Sequence, residues 1–127
     1  MTDWRRHLLW IDSLGGLAVG ALVLLAGAWL VTWYEIPGAL LFGMGAANVL
    51  YGTYSYFLAK RAVRPMAMIA FLVVANLTWA ALCLFWTVHY WGEAHPVALL
   101  HIGGEGLYVG ALAVLEWRNR YLLLTTG

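Results

Sequence analysis

The chain has 127 residues, of which 64% are hydrophobic, 15% aromatic and only 10% charged, against about 45–50% apolar and about 25% charged in ordinary globular chains. A water-soluble domain this small has too much surface for its volume to hide that apolar content. A soluble enzyme, a nucleic-acid-binding module and a disordered chain are therefore excluded, and a bilayer is the expected solvent.

Arg5, Arg6 and His7 precede a first apolar segment running from about Leu8 to Trp33. The run is about twice as long as the apolar region of a signal peptide. Its one cleavage-like stretch is Ala26-Gly27-Ala28, so an uncleaved first helix is expected. Further apolar segments extend from Pro37 to Ala59, from Pro65 to Tyr90 and from Pro96 to Trp117. Each has roughly 21–26 residues, enough at about 1.5 Å per residue to cross a ~30 Å hydrocarbon core. Backbone groups in lipid must be satisfied within the segment, which makes the segments helices. Three open with a proline, whose missing N–H is not needed in a first helical turn. The expected fold is all-α: a single domain, residues 1–127, of four transmembrane helices running up-down-up-down.

All seven Lys/Arg fall before the first span, between the second and third, or after the fourth. The loops 34–36 and 91–95 have none. The positive-inside rule then predicts a multi-pass inner (plasma) membrane protein with both termini cytoplasmic. Trp4, Trp10, Trp33, Tyr34, Tyr90, Trp91, Trp117 and Tyr121 sit at the predicted boundaries, where interfacial anchors belong. A faint repeat at a separation of 59 sets Pro37 with Ala39-Leu40-Leu41 against Pro96 with Ala98-Leu99-Leu100, which would make the fold two parallel helical hairpins. Gly16-x-x-x-Gly20 and Gly106-x-x-x-Gly110 are close-approach patterns, expected to pack helices inside the bundle. Cys83 is the single cysteine, so no intrachain disulfide forms.

The polar side chains that cannot reach water carry the functional information. Glu105, Asn48 and Asn76 fall near the middle of the fourth, second and third spans, and are expected to form one polar cluster at a common depth. A membrane-centre carboxyl costs about 2.5–3.5 kcal/mol to insert, so it faces the protein interior. Gly103, Gly104 and Gly106 leave Glu105 free of side-chain cover. His101 precedes Glu105 by one turn on the same face and suits a proton relay. Tyr51, one turn from Asn48, extends the cluster, and Trp79, one turn from Asn76, supplies an aromatic wall. A weaker alternative gathers His89, His95, His101 and Glu105 around a metal, though no recognised ligand spacing is present. Asp12 is expected to serve the helix dipole and reach Arg5, Arg6 or interfacial water. Glu116, with Arg120 four residues on, reads as a surface pair.

No catalytic, cofactor or phosphate-binding motif occurs, so no cofactor is expected and no reaction type is indicated. In length and helix count the chain is similar to the small multidrug resistance transporters. Their membrane-embedded glutamate lies in the first helix, however, whereas here it lies in the fourth, and no motif matches. The leading expectation is a membrane protein that binds, or transports, a small apolar or cationic ligand or protons at a midplane cluster centred on Glu105. A transport path in so small a chain would call for a homo-oligomer. A structural subunit of a larger membrane complex, with a partner membrane protein, is the second reading. A membrane enzyme acting on a lipid or quinone through His101 and Glu105 is the third.

Overall fold

Prolines set the helix starts. The computed structural model describes residues 3–126 and contains helices α1 (Leu8–Tyr34), α2 (Gly38–Lys60), α3 (Met66–His89) and α4 (Pro96–Arg118). Pro37 and Pro65 stand immediately before α2 and α3, and Pro96 is the first residue of α4. At these positions a fixed φ helps and a missing N–H costs nothing. Helix α1 stops where Glu35 turns left-handed at φ 57°, a cap conformation more usual for glycine. A 3-10 turn at Trp4–His7 leads into α1 and another at Leu122–Leu124 follows α4.

Glycines pair the helices into two antiparallel hairpins. A Cβ on Gly16 would meet the Asn48 carbonyl oxygen at 3.0 Å, and one on Gly20 would meet the Gly45 oxygen at 2.9 Å. Across the same seam a Cβ on Gly52 would come within 2.8 Å of the Leu17 nitrogen. Helices α1 and α2 are therefore in backbone contact. Gly106 plays this part between α4 and α3, against Cys83 Cβ (2.9 Å) and the Ala80 oxygen (3.3 Å). Both close-approach patterns are thus used inside the chain. The hairpins meet each other through longer side chains, such as Tyr54, whose hydroxyl donates to the Met68 carbonyl at 2.9 Å.

Two apolar clusters close the ends of the bundle. Val23, Leu30, Leu41, Met44 and Ile102 pack toward the α1–α2 and α3–α4 turns. Leu8, Leu9, Leu58, Ile69, Leu112 and Leu123 pack toward the chain termini. A polar layer separates them, made of buried Asp12, Ser13, Asn48, Asn76, Glu105 and Glu116. Facing outward are Leu25 (88% exposed), Leu50, Phe71, Phe85, Val88 and Leu100, an apolar exterior of an extent that water-soluble monomers rarely carry.

Three of the four helices, α1, α3 and α4, are long and apolar enough to cross a membrane. Helix α2, expected as a fourth such span, has comparable length but falls short in apolar character. Four glycines and the run Tyr51 to Tyr56, with Thr53 and Ser55, dilute it.

The terminal end carries all seven basic residues, and one of them is built into the core. Arg64 is 3% exposed. Its guanidinium donates to the Leu58 and Ala59 carbonyls at the end of α2 (2.9 and 2.7 Å) and to Leu123 and Thr125 of the C-terminal segment (3.0 and 3.3 Å). Burial lowers its pKa from the ordinary arginine value. At the surface, Arg5 binds Asp3 at 2.7 Å and holds that carboxyl below its usual pKa. An Arg64→Met variant leaves several carbonyls without a donor, and a hydrogen bond from a charged donor contributes about 1.5–3 kcal/mol. The variant is expected to lose about 2–4 kcal/mol in detergent unfolding, with the segment after residue 118 becoming sensitive to protease. Unchanged stability and cleavage would remove Arg64 from the structural core.

Candidate functional site: a polar cavity between the hairpins

The polar layer surrounds a cavity of about 290 Å³. Helix α1 contributes Asp12, Gly16 and Val19, α2 Asn48 and Tyr51, α3 Asn76 and Trp79, and α4 His101, Glu105 and Tyr108. Among the lining residues only Gly104 and Tyr108 of α4 are exposed, so the mouth lies beside α4. Where a Cβ on Gly104 would stand there is open space. Tyr108 reaches from this mouth to α1, its hydroxyl donating to the Ile11 carbonyl at 3.1 Å. The mouth therefore faces sideways out of the bundle rather than along its axis.

Glu105, Asn48, Asn76, His101, Tyr51 and Trp79 all line this one cavity. They do not form one hydrogen-bonded cluster. Glu105 sits beside Trp79, whose indole Nε1 approaches Oε1 at 3.5 Å, at the outer limit of a hydrogen bond. Its other oxygen, Oε2, is buried and unpartnered, and so is Asn48 Nδ2. His101 Nε2 stands 4.0 Å from Glu105 Oε2, too far for a direct bond. On the opposite edge of the ring, Nδ1 lies 2.9 Å from the Tyr34 hydroxyl. With Tyr34 donating to Nδ1, the imidazole proton sits on Nε2, the nitrogen that faces Glu105. Tyr51 and Trp79 meet edge to face at 5.8 Å and form an aromatic wall.

Asn76 belongs to a second group. Its Nδ2 donates to Asp12 Oδ2 at 2.7 Å and to Glu116 Oε1 at 3.0 Å, which brings the two carboxyl groups side by side. Both acids correct the sequence reading. Asp12 reaches neither Arg5 nor Arg6. It shares the inward stripe of α1 with Leu8, Leu9, Gly20 and Val23, while Arg5 is taken up by Asp3. Glu116 is 0% exposed and makes no surface pair. Arg120 lies beyond the end of α4, where its guanidinium stacks over Trp117 at 4.2 Å. Glu105, Asn48 and Asn76 thus line one cavity, while the Asn76 amide is taken up by Asp12 and Glu116 rather than by Glu105.

The histidines of the loop end are dispersed. His95 Nδ1 accepts from the Val97 amide at 3.1 Å and caps α4, and His89 stacks on Phe85. Neither joins His101 and Glu105. Among the described residues no three His, Cys, Asp or Glu side chains gather to hold a metal.

Sequence reasoning missed Asp12, Glu116 and Tyr34. Two signals were present. Glu116 stands about three turns after Glu105, which puts both on one face of α4. Asp12 stands one turn before Gly16, hence on the face that packs. Tyr34 had none, because its role depends on how α1 and α4 cross.

No protein-family model, curated protein or solved structure matches the chain.

Proposed function

We propose that this is an integral membrane protein that binds a small organic cation in the cavity between its two hairpins. The observation that carries the reading is the buried carboxyl of Glu105, whose Oε2 has no close partner, on a cavity walled by Trp79 and Tyr51. Buried polar atoms are nearly always satisfied, so an orphan carboxyl oxygen on a cavity wall supports a ligand that brings positive charge to it. A cation is favoured by the sign of the lining. Asp12 and Glu105 supply carboxyls, no Lys or Arg lines the cavity, and tryptophan and tyrosine faces attract positive charge.

All four helices cross the bilayer in this reading, α2 included, because its Asn48 and Ser55 are turned inward. The basic end, with both termini, faces the cytoplasm of an inner membrane. The sideways mouth admits an amphipathic molecule directly from the lipid. All four helices of the chain contribute to the lining.

The test is a titration of purified protein in mild detergent with tetraethylammonium, followed by calorimetry and tryptophan emission. Saturable binding is expected. Glu105→Gln should weaken it by about tenfold or more, about 1.4 kcal/mol for the lost attraction between the carboxylate and the cation. Trp79→Phe should suppress most of the emission change. Equal binding by wild type and Glu105→Gln, or no binding at all, rejects this reading.

A further inference from the structure

Glu105 accounts for one acidic group of the cavity and leaves the other without a part. Asp12 and Glu116 come from different hairpins and are held together by a single amide, Asn76 Nδ2. Glu116 Oε2 has no partner at all. No basic side chain among the described residues pairs with either acid: Arg5 pairs with Asp3, and His101 faces Glu105 at 4.0 Å. Around them, α2 supplies Ser55, whose hydroxyl is already donated to the Tyr51 carbonyl at 3.0 Å. Helix α3 supplies only Asn76. From α4 come Tyr108 and, across the cavity, Glu105. Below lies the Leu8–Leu58–Leu112–Leu123 cluster, which shuts out water from the terminal end.

We propose that the Asp12–Glu116 pair is a proton-binding site that holds one proton between two carboxyls and releases it when an organic cation occupies the adjoining cavity, making the protein a cation–proton exchanger. The inference rests on the cation-binding reading above. Two adjacent carboxylates in a dry interior repel each other, and one amide donor does not offset two charges. One shared proton leaves a single negative charge, spread over a pair that Asn76 grips from one side. Asp12 is the member that also lines the cavity, so a cation there lies against the pair. The step conserves charge: a carboxylic acid gives its proton to water and becomes a carboxylate, and the incoming cation brings one positive charge into the same enclosed volume. A neutral ligand would displace nothing.

Tetraethylammonium tests this because its charge is fixed, so every proton released comes from the protein. Wild type in weakly buffered detergent with an indicator dye is expected to release about one proton per cation bound, as one acid of a close pair gives way. Glu116→Gln, which removes the member of the pair that does not line the cavity, is expected to bind the cation and to release close to none. The infrared absorption of a protonated carboxyl gives a readout without any cation. It should persist in Glu105→Gln, which keeps the pair, and disappear when Glu116→Gln is added. Binding without proton release, release unchanged in Glu116→Gln, or no protonated carboxyl in Glu105→Gln overturns the exchange while leaving cation binding intact. No binding by wild type overturns both.

Discussion

Replacing Asn76 with leucine is expected to cost about 2–4 kcal/mol of stability, although leucine has the same four heavy side-chain atoms in the same branched arrangement and leaves no void. An ordinary interhelical hydrogen bond in a membrane contributes less, about 0.6 kcal/mol on average, because an unfolded helix in lipid also finds partners. Asn76 differs in what its one nitrogen holds. It donates to two carboxyls at 2.7 and 3.0 Å, on helices α1 and α4, and Glu116 is fully buried. Without the amide, both acids keep their burial and lose the donor that they share. Unfolding in mixed detergent micelles, followed by circular dichroism, measures the loss. If the origin is the stranded pair, the same substitution made in a Glu116→Gln background should cost half as much or less, since one acid is already gone. A loss below about 0.5 kcal/mol would mean that water, rather than Asn76, satisfies the two acids.

Gly20→Val should be comparably damaging for a different reason. A Cβ there would lie 2.7 Å from Val49 Cγ2 and 2.9 Å from both the Gly45 oxygen and the Val49 nitrogen. Two of these atoms are backbone, so relief requires α1 and α2 to separate along their length. Overpacking of this kind costs about 1–3 kcal/mol, and the backbone contact puts Gly20→Val at the upper end. Gly43→Ala is the matched control in α2, where an added Cβ meets nothing within 4 Å. It should be neutral or stabilising by about 0.5–1 kcal/mol through helix propensity alone. Thermal unfolding of the two variants side by side separates close packing from propensity. Equal effects would contradict the tight α1–α2 seam.

The helices were readable in the chain because each begins at a proline or just past the first basic cluster and runs as an unbroken apolar segment. The gathering of all seven Lys and Arg at one end of the bundle was readable because charge cannot hide in a long apolar run. The six side chains singled out came from asking which polar groups lie far from water, and all six line one cavity. Assigning partners was beyond that question. Depth along a helix says nothing about rotation around it, and rotation decides that Asn76 turns to Asp12 and Glu116 while Glu105 turns to Trp79. Proximity to Arg120 in sequence likewise suggested the wrong partner for Glu116, because α4 ends at Arg118 and the chain then leaves the helical path. Arg64 shows the same limit. It counted as one more cytoplasmic charge, and nothing in the linear order announced that Leu123, 59 residues away, would accept from it.

The placement of the glycines has a mechanical consequence. Among the described residues every glycine-to-backbone approach lies within a hairpin, and the two hairpins meet through side chains. They are thus spliced rather than fused. Arg64 with its four carbonyl acceptors ties them at the terminal end, and Asn76 and Tyr108 tie them midway, to Asp12 and to the Ile11 carbonyl. At the far end the fastenings are two single bonds, from the His95 amide to the Tyr34 carbonyl at 3.0 Å and between the Tyr34 hydroxyl and His101 at 2.9 Å. Tyr34 contributes to both, its carbonyl accepting from His95 and its hydroxyl meeting His101, so one residue splices α1 to the start of α4 beside the apolar cluster at that end.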